Sequence, residues 1–216
     1  MATSTRVADK RRHPYHHGNL RRALLDEALA TIRAEGVEGV TLRDIGARVG
    51  VSRTALYRHF ADKRALLAAV ATEGFRMLRQ RLVAAWEEGG RGDAAFHAMG
   101  VAYVRFAVDN PAHYRVIFGG FVDPRAKEPE LATEAQGAFQ ALVDAVSTLQ
   151  RDGVFLDDHP VQMATYSWAL VHGITSLAIS VPELPRDQFD EMIDHAIVTH
   201  AAGLGAGLRQ SVDQAR

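Results

Sequence analysis

The sequence predicts an all-α fold. Apolar residues recur at spacings of three and four along most of the chain, which is the period of a helix with one buried face. Ser, Thr or Asp residues precede several of these segments, and Gly or Pro residues follow them, as is typical of helix ends. No run of alternating apolar and polar residues is long enough to predict a strand.

The first helix is predicted from the apolar residues that follow Asn19 and continue to Ile32, and Gly36 ends it. Thr41 and Asp44 have the spacing of a capping box and predict a short second helix that stops at Gly50. These two helices enclose few apolar residues, so they need further helices to complete a core.

Ser52 predicts the start of a third helix of only about one and a half turns, and Asp62 predicts the start of a longer fourth helix that reaches Trp86. Gly46 is small at the point where the second and third helices must cross, and Gly50 allows the positive φ of a tight turn. Residues 41–60 therefore have the features of a helix-turn-helix.

The remaining periodic segments predict a second, larger group of helices, over residues 93–110, 111–118, 130–151, 160–181 and about 186–203. The sequence FVDPRAKEPE between two of them contains two prolines and predicts a loop. We divide the chain into a basic arm at 1–17, a helix-turn-helix domain at 18–64 and a helical domain at 65–216.

The composition is that of a globular protein: of 216 residues, 47% are hydrophobic and 24% are charged. The absence of cysteine excludes disulfides, zinc–thiolate sites and cysteine nucleophiles. The N-terminus has no apolar signal core, and the apolar stretch at 168–181 is too short to span a membrane. We therefore expect a cytoplasmic protein with no membrane partner.

Charge is distributed unevenly along the chain. Residues 1–64 contain 13 Lys and Arg against 7 Asp and Glu, a net charge of +6, while the remainder contains 12 against 19, a net charge of −7. A basic segment beside an acidic body indicates that the basic segment meets a polyanion, although solvated helix faces also produce such asymmetry.

The third helix carries side chains suited to the major groove. Its positions outside the core are hydrogen-bond donors or small groups: Arg53, Thr54, Ala55, Tyr57, Arg58 and His59. A short helix suffices for this task, because only its first turns need to reach base edges.

The stretch GARVGVSRTALYRHFADKRALL, with its Leu-Tyr-x-His-Phe element and the Lys that opens the next helix, resembles the signature of TetR-type transcriptional repressors. The resemblance covers residues 18–67. It implies phosphate contacts by Tyr57, His59 and Lys63, and by the hydroxyl and backbone N–H of Thr41. It also implies that Arg53, Thr54 and Ala55 face base edges.

Two features of this segment leave alternatives open. Tyr57 either contacts DNA or covers the edge of the core beside Leu56 and Phe60. The arm, including KRRHPYHHG at 10–18, is either a disordered basic tail or a segment that lies along the DNA, in which case His16 and His17 contact the backbone. Gly46 and Thr54 depart from the residues common in the family, which are Ala and Gly.

Members of this family bind a small molecule in the C-terminal helices, and the resemblance extends there. NPAHYRVIFGG at 110–120 and WALVHG at 168–173 resemble a subgroup with a Trp-x-x-x-His-Gly element. The residues that this likeness makes candidates for the pocket are Tyr103, Phe106, Tyr114, Phe118, Phe139, Tyr166, Trp168 and His172. Each is alternatively a core residue, and His172 is alternatively a dimer contact.

The resemblance also implies a homodimer formed by the last two helices, at 160–181 and 186–204. Apolar stripes on both helices are compatible with a four-helix bundle between two subunits. The stripes comprise Met163, Ser167, Leu170, Ile174, Leu177 and Val181, and Phe189, Met192, Ile193, Ala196, Ile197, His200 and Leu204. The alternative is that both stripes pack inside one subunit.

Enzyme and metal sites have little support in the sequence. His195 and His200 do not share a helix face, and the histidines of the arm have no fourth ligand nearby. Phosphate-binding loops and nucleophile elbows are also absent. We predict a non-enzymatic, ligand-released repressor that binds a palindromic operator as a homodimer, with an unidentified small-molecule effector and no cofactor or metal. The alternatives are a small-molecule binding protein without regulatory DNA binding, and an activator.

Overall fold

The computed structural model describes residues 20–123, 128–180 and 186–205; the predicted arm, with His16 and His17, lies outside them. The all-α prediction is confirmed, with no strand in the described ranges. The helices in chain order are α1 (Leu20–Glu35), α2 (Leu42–Val49), α3 (Arg53–Tyr57), α4 (Lys63–Glu88), α5 (Asp93–Asp109), α6 (Pro111–Phe118), α7 (Pro129–Arg151), α8 (Pro160–Ser180) and α9 (Arg186–Gly205).

The predicted caps are confirmed. The side chains of Thr41, Ser52 and Asp62 accept hydrogen bonds from backbone N–H groups at the starts of α2, α3 and α4. Gly50 ends α2 with a φ of +77°, a left-handed conformation that favours glycine. The sharp turn between α2 and α3 therefore follows from local chemistry.

The helix-turn-helix has a small core of its own. Ile45 and Leu56 are almost fully buried, as are Leu25 and Leu29 on α1, which packs against α2. A Cβ atom at Gly46 would lie 3.0 Å from Cδ1 of Leu56, so the helices cross closely at this glycine, as the sequence predicts. The exposed face of α3 is thereby held on a compact base.

Helix α4 joins the helix-turn-helix to the rest of the protein. It begins at Lys63, beside α3, and continues for 26 residues to Glu88, packing against α5, α6 and α7 on the way. The domain boundary that we predicted at residue 64 falls in its first turn. Gly74 lies close to α6, because a Cβ atom there would be 3.2 Å from Cβ of His113.

The larger helical body is built from α5 to α9 around α4. Its core includes Phe106, Met99, Leu131 and Leu149, all nearly inaccessible to solvent. In the part of the chain that the structure describes, no helix is both long and apolar enough to cross a membrane.

The apolar stripes predicted for α8 and α9 pack largely inside one chain. Met163, Ser167 and Ile174 on α8, and Ile193 and Ile197 on α9, are buried by the body itself. This corrects the assignment of those residues to the dimer contact, because a side chain buried within one subunit has no surface for a partner. Phe189 and Val181 lie outside the side chains that the structure describes.

Candidate nucleic-acid interface and internal cavity

The face of α3 that points away from the core is polar. Arg53, Thr54 and His59 are exposed, Ala55 is half-buried, and Tyr57 is 44% exposed. The Arg53 guanidinium lies 5.8 Å from the centre of the Tyr57 ring, so the two side chains form a cation–π pair on this face. Its exposed hydrogen-bond donors are therefore available to the base edges and phosphates of DNA.

Lys63 and Thr41 lie at the starts of α4 and α2. The Lys63 ammonium donates a 3.3 Å hydrogen bond to the carbonyl oxygen of Glu38, which holds it near the start of α2. The Thr41 hydroxyl donates to Oδ2 of Asp44 over 2.6 Å and accepts from the Asp44 N–H. The Thr41 hydroxyl proton is thus used in a surface bond to Asp44, and this bond lowers the pKa of the Asp44 carboxyl.

The arginines of the basic segment divide into two groups. Arg48 bonds to Thr31 over 3.0 Å and pairs with Glu35 over 2.7 Å, so it joins α2 to α1. Arg43, whose side chain is 91% exposed, and Arg58 are open to solvent. Exposed cations on α2, on α3 and directly after α3 therefore add positive charge to this domain, where a polyanion would be attracted.

A cavity of about 310 Å³ lies inside the helical body, between α4, α5, α6, α7, α8 and α9. Of the predicted pocket residues, the structure places Tyr103, Phe118, Phe139 and Trp168 in its wall. The rest of the wall is mainly aliphatic and aromatic, with Phe75 and Leu78 from α4 and Ala138 from α7. Its volume is at the lower end of the range typical of small-molecule sites.

The other predicted pocket residues do not line this cavity. Phe106 is 0% exposed and belongs to the core behind the wall, whereas Tyr166 is 60% exposed on the outer face of α8. Tyr114 and His172 form a hydrogen-bonded cluster next to the wall. The physical reason is that helical spacing identifies a buried face, but not which neighbours fail to fill the space in front of it.

The cluster is centred on Nδ1 of His172, which lies 2.9 Å from the Tyr103 hydroxyl and 3.0 Å from the Tyr114 hydroxyl. Each phenol can donate to Nδ1 or accept from it, so the cluster can form around a neutral imidazole. Burial lowers the pKa of His172 and raises those of both tyrosines. The cluster braces α5, α6 and α8 against one another.

The neutral imidazole predicts a pH-dependent stability. Since the folded-state pKa of His172 lies below the ordinary 6.5, the unfolded chain binds the proton more readily and stability is lost as the pH falls through that value. We expect the free energy of unfolding to be lower at pH about 5.5 than at about 7.5. His172→Gln, which accepts the same bonds without titrating, should reduce this difference. Urea unfolding at the two pH values measures it.

The exposed His195 on α9 provides a matched control, because His195→Gln removes a histidine that makes none of these contacts. Equal pH dependence in wild type and His172→Gln would show that His172 does not carry the effect.

Several polar contacts were not predicted from the sequence, and two of them join different helices. Ser167 and His200 face the cavity and lie 2.9 Å apart, from Oγ to Nε2. The Arg115 guanidinium donates to the carbonyl oxygen of Ile32 over 3.1 Å, which ties α6 to the end of α1. Neither pair has a local signal, because its partners are far apart in the chain.

A second junction lies beside Arg115. Nε2 of His113 lies 3.0 Å from Oε1 of Glu73, and the other oxygen of Glu73 pairs with Arg22 on α1. Burial lowers the pKa of His113, although Glu73 acts in the opposite direction. Helices α1, α4 and α6 therefore share one polar network where the helix-turn-helix meets the body.

Comparison with protein families decides the assignment. Residues 24–70 match the family model described as bacterial regulatory proteins of the tetR family, and residues 96–200 match the model of a tetracyclin repressor-like C-terminal domain. The chain belongs to the TetR family. This TetR-family protein is a DNA-binding transcriptional regulator, and its helix-turn-helix lies inside the first matched region. The likeness to a Trp-x-x-x-His-Gly subgroup stays a prediction.

Relatives and solved structures resemble this chain in sequence or in fold. YobS from Bacillus subtilis (strain 168), an uncharacterized HTH-type transcriptional regulator, is 24% identical over 187 residues, covering 87% of this chain and 93% of YobS. A Rhodococcus sp. RHA1 structure of unknown function is 33% identical, with a TM-score of 0.79 over 90% of this chain and 100% of the other. The TetR-family transcriptional regulator PfmR from Thermus thermophilus, 17% identical, has a TM-score of 0.67 over 84% of this chain and 98% of PfmR, and shares the fold.

Proposed function

We propose that this TetR-family protein is a homodimeric repressor that binds a palindromic operator in the cytoplasm and leaves it when a small molecule occupies the internal cavity. The observation that supports this most strongly is the continuity of α4. Lys63 at its start belongs to the helix-turn-helix domain, where it bonds to the Glu38 carbonyl, and Phe75 and Leu78 further along line the cavity. One rigid element thus belongs to both sites.

The dimer contact that we propose uses the outer faces of α8 and α9. Large apolar side chains are exposed there: Tyr166 is 60% exposed, Leu177 is 55% exposed and Val198 is 57% exposed. Gly173, on α8, is also exposed, and a Cβ atom there would meet nothing within 4 Å. Pairing this face with its symmetry mate would bury apolar surface and allow close approach of the helices. Two α3 helices about 34 Å apart would then reach successive turns of the major groove.

Coupling between cavity and DNA is proposed to use α6 as well as α4. Ile117 and Phe118 of α6 line the cavity, while Arg115 of the same helix bonds to the end of α1. A ligand that displaces Phe118 would therefore move a helix attached directly to the helix-turn-helix. Such a movement changes the separation of the two DNA-binding heads and lowers operator affinity.

The proposal is tested first by fluorescence anisotropy with DNA flanking the protein's own coding region, over a salt series, against scrambled DNA. We expect tight, salt-sensitive binding to one flanking fragment. Lys63→Ala should weaken binding to every DNA sequence and reduce the salt slope by about 0.9. Arg105→Ala removes the same charge from an exposed position on α5 and should change neither quantity.

If the protein binds neither flanking fragment specifically, the operator is sought by selecting the sequences that it binds from random DNA. Absence of any selected sequence would refute the repressor and leave a small-molecule binding protein. Specific binding upstream of a promoter whose transcription it increases would instead identify an activator.

A further inference from the structure

The wall of the cavity contains no formal charge. Among the described residues that line it, none is Asp, Glu, Lys or Arg. Its polar groups are the Tyr103 hydroxyl, the Trp168 indole N–H, the Ser167 hydroxyl and the His200 imidazole. Burial lowers the pKa of His200, which keeps this imidazole neutral at neutral pH.

An ionic cluster between α4 and α7 is paired within the protein and does not line the cavity. Glu134 of α7 lies 2.9 Å from Arg76 and 3.6 Å from Arg79, both on α4. These opposite charges offset one another, and none of the three side chains lines the cavity. An ionised carboxylate or ammonium in the cavity would lose its hydration without gaining a counter-ion, so its affinity would be far lower than that of a neutral molecule of the same shape.

The polar groups of the wall differ in the hydrogen-bonding capacity that remains free for a ligand. The Tyr103 hydroxyl is bonded to His172 and accepts from the Trp168 indole over 3.4 Å. The Ser167 hydroxyl lies 2.8 Å from the Met163 carbonyl oxygen, to which it donates, so Nε2 of His200 carries a proton and donates to Ser167. That tautomer leaves Nδ1 of His200 unprotonated, as an acceptor, and Ser167 retains a second lone pair.

The volume sets the size of the ligand. The cavity of about 310 Å³ equals about ten water volumes in the liquid, which corresponds to an organic molecule of about ten to fifteen non-hydrogen atoms. From wall chemistry and volume together, we infer that the effector is an uncharged, mainly apolar molecule of this size whose one hydroxyl-type donor meets the Ser167–His200 pair. This inference rests on the proposed function only in calling the ligand an effector.

Three ten-carbon probes test the charge requirement: decan-1-ol, decanoate and decylammonium. Trp86→Phe leaves Trp168 as the single tryptophan of a sequence that contains 2, so its fluorescence reports on the cavity wall. We expect decan-1-ol to bind at least about tenfold more tightly than either ion. Equal or tighter binding of an ion, or no binding of decan-1-ol up to its solubility, would overturn the inference.

Two substitutions in the same Trp86→Phe background test where the alcohol binds. Ser167→Ala should weaken decan-1-ol by about threefold to tenfold, the usual range for one hydrogen bond. Ser147→Ala is the control, because Ser147 makes a similar bond to the Val143 carbonyl on α7 outside the cavity. Ala138→Leu narrows the cavity and should weaken decan-1-ol at least about tenfold.

Unchanged binding in Ser167→Ala and Ala138→Leu would show that the alcohol lies elsewhere and would overturn the inference. These titrations contain no DNA, so they are independent of the regulatory proposal. If decan-1-ol binds as expected but leaves operator affinity unchanged, the ligand class stands and ligand-released repression fails.

Discussion

Replacing Arg53 by alanine is expected to lower affinity for the operator by about tenfold to a hundredfold and to reduce discrimination against scrambled DNA. Arg53 is exposed at the first turn of α3, where a guanidinium can reach the major-groove edge of a guanine. A bidentate contact of that kind contributes about 1–3 kcal/mol of discrimination. Competition anisotropy with operator and scrambled duplexes measures the ratio of the two affinities.

Arg58→Ala is the matched control, because Arg58 is exposed at the other end of the same helix and carries the same charge. It should weaken binding to both duplexes to a similar, smaller extent, since an electrostatic contribution does not depend on sequence. If Arg53→Ala leaves the affinity ratio unchanged, Arg53 contacts only the phosphate backbone or no DNA at all.

Replacing Phe106 by alanine is expected to lower the free energy of unfolding by about 3–5 kcal/mol. The ring is 0% exposed and lies in the core behind the cavity wall, with the Arg81 guanidinium 6.0 Å from its centre. Truncation would leave a new void in close-packed surroundings. Urea unfolding followed by circular dichroism measures the loss, provided that the variant still folds at low temperature.

Phe139→Ala provides the comparison, because Phe139 is half-buried and already faces empty space. We expect a smaller loss of stability there, since the substitution enlarges an existing cavity, together with weaker decan-1-ol binding. If Phe106→Ala were as mild as Phe139→Ala, the position would border a void, and our assignment of Phe106 to the core would be wrong.

The helices and the helix-turn-helix could be predicted because their determinants are local. Thr41, Ser52 and Asp62 each begin a helix through a bond to a residue three positions later, and the sequence displays both partners together. Gly50 likewise predicts the turn after α2, because few residues other than glycine adopt a positive φ. Local physics of this kind is independent of what packs against it later.

The cavity could be predicted only in part, because a void is a property of several helices at once. Tyr103 and Phe106 are three residues apart on α5 and both are buried, yet only Tyr103 lines the cavity. On α8, Tyr166 and Trp168 are equally aromatic, but the helix turns Tyr166 outward. Helical periodicity places such residues on a face and does not reveal how completely the opposite helices fill it.

The junction between the two halves of the molecule was beyond sequence reasoning for a different reason. The bond from Arg115 to Ile32 joins residues 83 positions apart and involves a backbone carbonyl, which every residue possesses. The pairing of Arg22 with Glu73 uses residue types that are common on any solvated helix face. Only the folded chain shows that these side chains meet.

The candidate DNA-contacting side chains described here end at Lys63, whereas the cavity lining begins at Phe75. No side chain belongs to both sets, so a change in one set leaves the chemistry of the other intact. Mutation and selection can therefore retune which promoter is controlled without altering which molecule is sensed, and the reverse. For the same reason we expect that the helix-turn-helix domain and the helical body can each be exchanged between related proteins to build sensors, provided that all residues of the α1–α4–α6 junction are kept together.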